Sequence, residues 1–222
     1  MQNIIFIAPP AAGKGTQSER LVSKYNYTHI STGDLLREEI KKGTELGKEI
    51  KALIDKGNLV PDEIVTKMLK NKLATIKGNF ILDGYPRVYS QAEILNTIFE
   101  ELNIRKDEVV AIYLDLDETT ATKRALGRLT CSKCGRGYHS SIEELMPKNE
   151  FTCDDCNIKL TKRQDDNEET FKIRFNTYLK ETSPLLEYYK EKGILKIVDS
   201  NKSTKEVFET IEQILTGDRL NG

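Results

Sequence analysis

The chain has 222 residues, 34 basic and 35 acidic side chains, a formal net charge of −1 and 38% hydrophobic residues, with a mean hydropathy of −0.50. That balance excludes bulk attraction to nucleic acid or an anionic membrane, and the longest apolar run is far too short to span a bilayer. No basic n-region precedes that run, so it does not read as a signal peptide; a cytoplasmic protein, with one large domain or a core plus a small module, is expected.

In chain order, Ile4 to Ile7 reads as a buried strand and Gln17 to Tyr25 as a helix. Between them Ala8-Pro9-Pro10-Ala11-Ala12 leads into Gly13-Lys14-Gly15-Thr16. A small-residue loop opening a helix presents backbone N–H groups to an anion, and a lysine adds a full charge. The usual glycine-rich signature has four residues between its first glycine and the Gly-Lys pair; Ala8 stands at that first place, so the strict pattern fails by one residue. A plain strand-to-helix turn with an incidental lysine is the alternative.

Thr28 to Ile30 is a short strand, and Ser31 and Asp34 have capping-box spacing. Amphipathic helices follow over Leu35–Lys42, Glu45–Lys56 and Asp62–Ile76, broken by Gly43, Gly57 and Pro61. Asn79 to Asp83 is a buried strand running into Gly84-Tyr85-Pro86-Arg87; Gln91 to Leu102 is helical and Val109 to Leu116 is a second strong strand. Asp117 to Gly127 reads as helix, Glu168 to Lys192 as a long helix interrupted or bent near Pro184, and Ile194 to Val198 as a strand. A final helix, Ser203 to Leu215, opens with a Ser203/Glu206 capping box. Alternating strands and helices imply an α/β fold, a parallel sheet covered by helices, with ligand beyond the carboxyl ends of the strands.

Arg128 to Lys162 breaks this pattern. Cys131-Ser132-Lys133-Cys134 and Cys153-Asp154-Asp155-Cys156 are two Cys-x-x-Cys pairs that use all four cysteines. Two close pairs suit a closed tetrahedral zinc site. Two disulfides are the alternative, disfavoured without a secretion signal, and a thioredoxin-type role lacks its βαβ setting. His139 reads as an ordinary loop histidine. A nucleic-acid-binding zinc ribbon is disfavoured because basic and aromatic residues are not interleaved here.

These motifs together resemble the adenylate kinase family, in its long bacterial form with a zinc-bearing lid. The likeness runs over essentially the whole chain. It rests on Gly13-Lys14-Gly15-Thr16, Ser31-Thr32-Gly33-Asp34-Leu35-Leu36-Arg37, Leu59-Val60-Pro61-Asp62 and Asp83-Gly84-Tyr85-Pro86-Arg87 with Gln91. Arg124, Arg128, the four cysteines and Arg163-Gln164-Asp165-Asp166 with Arg174 complete it.

The resemblance implies a P-loop nucleoside monophosphate kinase fold. Its core would be residues 1–30, 61–126 and 166–222, its AMP-binding flap 31–60 and its zinc lid 127–165. It implies transfer of phosphate between ATP and AMP to give two ADP, with magnesium carried by ATP and structural zinc, in a monomer that binds neither nucleic acid nor membrane. Gly13, Lys14, Gly15 and Thr16 would hold ATP phosphates, with Lys202 among the nucleotide-binding residues. Arg37 and Arg87 would clamp the AMP phosphate. Gln91 would read adenine, Thr32 would line its pocket, and Val60 and Gly84 would meet AMP through backbone. Arg124 and Arg128, four apart and so expected on one helix face, would grip ATP, and Arg163 and Arg174 would be further phosphate clamps. Asp83 would hold magnesium through water, and Asp165 and Asp166 would close the lid on arginines. Six of the ten arginines occupy such positions.

Ala8 and Ala11 depart from the family, which has glycine at both places; either alanine would be strained if its φ must be positive. Tyr85 for the usual phenylalanine is a mild change, and Val88-Tyr89 leaves the Gln91 spacing intact. Impaired turnover, or a kinase for another nucleoside monophosphate, are the alternatives to adenylate kinase activity.

Overall fold

The two strongest apolar runs become neighbouring strands in the middle of a sheet, because a parallel strand covered on both faces has no polar side. The computed structural model describes residues 1–55, 60–162 and 166–217. Its elements are β1 (Asn3–Ile7), α1 (Lys14–Tyr25), β2 (Thr28–Ser31), α2 (Thr32–Lys42), α3 (Glu45–Asp55), α4 (Asp62–Leu73), β3 (Phe80–Asp83) and α5 (Tyr89–Glu101). β4 (Val109–Asp115), α6 (Glu118–Leu126), β5 (Arg128–Thr130), β6 (Gly137–His139), α7 (Glu168–Thr177), α8 (Leu185–Glu191), β7 (Leu195–Asp199) and α9 (Thr204–Thr216) follow.

Five strands, flanked by helices, pair in the order β2-β3-β1-β4-β7. β1 is parallel to β3, with Ile5 opposite Leu82, and to β4, with Ile5 opposite Ala111. β2 is parallel to β3. At the far edge the Ala111 N–H donates to the Ile194 carbonyl at 2.9 Å. The chain clusters into two compact units. One holds Met1–Ile7, Ser18–Tyr113 and Pro184–Lys196; the other holds Ala8–Gln17, Leu114–Ser183 and Ile197–Gly222. The first unit has a continuous core from Ile5, Ile7, Ile30, Leu69, Phe80, Leu82, Leu95, Ala111, Leu185 and Tyr189.

Several elements differ from the sequence reading for local reasons. α1 starts at Lys14, three residues earlier than expected, because the Gln17 N–H already bonds to the Gly13 carbonyl at 3.0 Å. Ser31 caps α2 by accepting from the Asp34 N–H, but the reciprocal half of the box is absent and the Asp34 carboxylate pairs with Arg37 instead. The interruption or bend expected near Pro184 within Glu168–Lys192 takes the form of a π-turn, Tyr178–Thr182. Pro184 lacks an N–H and its ring crowds the carbonyl four residues back, so the turn widens and Ser183 N–H bonds to the Tyr178 carbonyl at 2.9 Å. The Ser203/Glu206 box of α9 is present in both halves.

The segment after α6 forms an antiparallel ribbon of β5 and β6. Its own small cluster consists of Leu129, Tyr138 and Leu160 with the Cys131 and Cys153 thiols. Arg124 and Arg128 do not share a helix face: α6 ends at Leu126, Gly127 caps it, and Arg128 opens β5 opposite His139.

Candidate nucleotide site and cysteine centre

In the second unit the loop after β1 turns between Pro9 and Ala12, whose N–H reaches the Pro9 carbonyl at 3.4 Å. Ala11 has φ 63° and Gly13 φ 90°. Of the two alanines at family glycine positions, only Ala11 takes a left-handed backbone; Ala8 is buried and is not among the positive-φ residues described. Ala12 is buried, and its carbonyl accepts from the Ser200 hydroxyl at 2.7 Å, tying the loop to the end of β7. Lys14 folds back so that Nζ lies 3.5 Å from the Ala8 carbonyl. A Cβ at Gly15 would meet nothing within 4 Å, so the fold itself does not require glycine there. A bare backbone at a helix N-terminus leaves room for an anion to approach the N–H groups. Thr16 sits in the first turn of α1.

Behind the loop, Gln17 Nε2 donates to the Thr204 carbonyl at 3.1 Å, and the Glu144 carboxylate accepts from both the Thr204 N–H and its hydroxyl. Arg124 donates to the Lys202 carbonyl at 3.4 Å, and burial lowers its pKa below the usual guanidinium value. Asp166, with its side chain fully buried, accepts from Arg128 Nε at 2.8 Å and from its Nη2, and lies 3.7 Å from Arg174 Nη1. One carboxylate thus holds two guanidinium groups. Arg163 and Asp165 lie outside the described residues.

The four cysteines converge as expected. Their sulfurs all lie within 4.8 Å of one another, Cys134 and Cys153 at 3.7 Å, and none is in a disulfide. Tetrahedral zinc–sulfur bonds of about 2.3 Å set sulfurs about 3.8 Å apart, so the donor set fits zinc. The Tyr138 hydroxyl pulls the Cys153 thiol down to about 6, whereas the neighbouring sulfurs, Cys134 first, push Cys156 up to about 12. Crowded thiolates repel, and a bound dication is what lets all four ionise. His139 supplies no fifth donor. It is buried at the end of β6 against Gly127, rather than lying in a loop.

In the first unit the residues expected on the AMP side form one hydrogen-bonded set. Gly84, at φ 84°, accepts through its carbonyl from the Thr32 hydroxyl at 3.1 Å and Arg87 Nε at 2.9 Å. A Cβ on Gly84 would come within 3.0 Å of the Thr32 hydroxyl, so both conformation and space demand glycine. Gln91 is buried; its Oε1 accepts from the Arg87 N–H and its Nε2 donates to Asp62, each at 2.7 Å. Those two bonds fix the amide orientation and leave one N–H and one lone pair for another partner. Arg37 pairs with Asp34 on the same helix, both well exposed, and such a pair is weak enough to exchange for a phosphate. Asp83 meets His29 Nε2 at 3.3 Å. Val60, half-buried, precedes Pro61 at the start of α4; Leu59 lies outside the described residues. Sequence reading did not find Asp62, Glu144 or Thr204 as partners, for these contacts join residues 29 and 60 positions apart.

A parallel sheet whose first strand runs into a lysine-bearing loop at a helix N-terminus defines the P-loop class of phosphate-binding α/β folds. The adenylate kinase family model matches residues 6–194. Curated relatives named adenylate kinase are 44% identical over 97% of this chain and 98% of the relative in Fervidobacterium nodosum. The values are 46%, 96% and 97% in Archaeoglobus fulgidus, and 45%, 98% and 99% in Acetivibrio thermocellus. The chain belongs to the adenylate kinase family of phosphotransferases.

Proposed function

We propose that this chain transfers the γ-phosphoryl group of magnesium-bound ATP reversibly to AMP, giving two ADP. The observation that carries the reading is the loop Ala8–Thr16. Gly13 turns at φ 90°, Gly15 is bare, and Lys14 stands at the N-terminus of α1. Backbone N–H groups and the Lys14 ammonium would hold the phosphates of ATP. Ala11 attains the left-handed turn itself, so its methyl costs stability and leaves the backbone path intact.

The attacking AMP oxygen is already ionised, so catalysis is positioning and charge neutralisation rather than base chemistry. Arg128 and Arg174, held by Asp166, would spread positive charge around the transferred group; Arg163 is assigned the same task on resemblance. Arg124 and Lys202 would bind ATP, with Arg128 gripping it as well. Arg37 and Arg87 would clamp the AMP phosphate, the free face of the Gln91 amide would read adenine, and Thr32, Val60 and Gly84 would line that pocket. Magnesium, carried by ATP and held by Thr16 and through water by Asp83, would neutralise phosphate charge.

Cys131, Cys134, Cys153 and Cys156 would hold zinc in a closed site that confers rigidity and no reactivity. The small cluster of Leu129, Tyr138 and Leu160 is too little core to fix the segment alone. Residues 31–60 and 127–165 are assigned as flaps that exclude water, because an exposed γ-phosphoryl group would hydrolyse; residues 1–30, 61–126 and 166–222 are assigned as the core that carries them. Among the described residues no helix is long and apolar enough to cross a membrane. A reduced thiol set suits the cytoplasm, and a monomer acting on ATP, AMP and ADP is the form proposed.

The test is a coupled assay of ADP formation with AMP, GMP, UMP and CMP as acceptors. AMP is expected to be preferred by at least about 100-fold in kcat/KM, since an unsatisfied buried amide penalises the wrong base. Equal use of all four would remove Gln91 from its assigned role.

A further inference from the structure

Gly127 caps α6 with φ −90° and ψ −3°, a conformation open to any residue, so its backbone does not call for glycine. Its surroundings do. A Cβ there would lie 2.3 Å from His139 Cε1, 2.5 Å from Nε2 and 3.1 Å from Nδ1, in severe overlap with the imidazole ring. The ring fills the space that a side chain on the helix cap would occupy.

Each edge of that ring has a defined task. Nδ1 accepts from the Ser141 and Ile142 N–H groups, both at 3.1 Å, and lies 3.4 Å from the Ser141 hydroxyl. An acceptor at Nδ1 places the proton of the neutral ring on Nε2. Nε2 is buried and closes no hydrogen bond, and the backbone of Lys123 and Arg124 at the end of α6 lies close to the ring. The Ser140 N–H completes the junction with a 2.8 Å bond to the Gly127 carbonyl. Across the ribbon, His139 is the ladder partner of Arg128.

We propose that His139 is a positioning residue for ATP: its neutral ring, wedged against Gly127, sets the angle between α6 and the β5–β6 ribbon and so the places of Arg124 and Arg128. This rests on the reading that these two arginines grip ATP. Arg124 stands one turn inside the helix end that the ring abuts, and Arg128 one residue past the cap. A shift of the ring therefore moves both arginines together, in the direction of the ribbon's swing, while the AMP side has no part in the junction.

The ring's titration gives an independent readout. Burial lowers its pKa below the ordinary 6.5, the Arg124 and Lys123 carbonyls offset part of this, and the Arg124 and Arg128 charges add to the lowering. The segment after β6 offers the ring N–H groups and a hydroxyl, and its Glu144 is turned to Thr204. Protonation would set a new N–H donor at Nδ1 against two N–H donors. The stability this junction contributes is full above pH 6.5 and declines as pH falls from there, while in the folded protein the ring charges, and the junction opens, only as pH passes the depressed value.

The experiment compares the full-length protein with Gly127→Ala, His139→Asn, His139→Ala and the double variant Gly127→Ala/His139→Ala. Steady-state KM for ATP and for AMP, kcat and Tm are measured for each. Gly127→Ala is expected to raise the ATP KM about ten-fold, with the AMP KM unchanged, since small misplacements of positioning groups carry such factors. In the His139→Ala background the added methyl has a vacated site, and Gly127→Ala should cause no further change. The ATP KM of the parent should rise as pH falls through the ring's depressed value, and that of His139→Asn, which keeps an acceptor for Ser141 and Ile142 but has no titrating ring, should not. A lowered Tm with both KM values unchanged in every variant would overturn the proposal and leave His139 a packing residue. So would an equal Gly127→Ala effect with and without the ring. A parent protein that makes no ADP overturns the ATP reading itself, and this inference with it; an active parent with insensitive variants overturns this inference alone.

Discussion

Replacing Ala11 by glycine should stabilise the protein, and replacing Ala8 should do the opposite. Ala11 sits at φ 63°, where a Cβ crowds the following carbonyl and costs about 1–2 kcal/mol. Glycine removes that strain but gives the unfolded chain more freedom, worth about 0.4–1 kcal/mol against it. The balance is a gain of about 0.5–1 kcal/mol, which for a domain of this size raises Tm by about 1–4 °C. Ala8 has no such strain, and its methyl is buried with 8% of the residue exposed. Ala8→Gly loses about 0.8 kcal/mol of burial and incurs the same unfolded-state term, so Tm should fall by about 2–6 °C. Differential scanning calorimetry on the two single variants, with ATP titrated into each, decides between them. A fall in Tm for Ala11→Gly, or a rise for Ala8→Gly, would refute the argument that backbone strain is confined to Ala11. Unchanged ATP affinity in Ala11→Gly is expected, because the backbone path is already the one glycine would adopt.

Two further outcomes follow from the second unit. Asp166→Asn leaves Arg128 and Arg174 without their shared carboxylate; with these side chains 21% and 33% exposed, the loss should be about 2–3 kcal/mol, below the 3–5 of a fully buried pair. Thermal denaturation should show a fall in Tm of roughly 5–10 °C, and no fall would mean that the carboxylate does not organise the arginines. Chelating the metal of the cysteine centre should lower Tm more than it changes kcat, because the site would supply folding energy to a segment with little core. A chelated protein that melts at the same temperature would remove the metal from the account.

Much of this was legible in the residues. Strong apolar runs located β1, β3 and β4 because each is buried on both faces, and two Cys-x-x-Cys pairs located the four-thiol cluster because no other cysteine competes. What was hidden is long-range or depends on small energies. The α1 start at Lys14 was masked by two glycines, which weigh against helix in isolation but are carried by the loop's own turn. The π-turn was hidden because a kink and a widened turn both relieve a proline such as Pro184, and the sequence does not choose between them. The Gln91–Asp62 and Glu144–Thr204 bonds join residues whose spacing carries no periodic signal. His139 read as a loop residue because nothing local reveals that Gly127, twelve positions earlier, was left bare for its ring.

The central claim is that the Gly13–Thr16 loop presents ATP for transfer to AMP, and the most direct measurement follows the phosphoryl group itself. ATP labelled in its γ-phosphate is mixed with AMP, magnesium and enzyme, and products are separated at short times. Label should appear in ADP, and only when AMP is present. Label released as inorganic phosphate at the same rate with or without AMP, or retained wholly in ATP, would contradict the account.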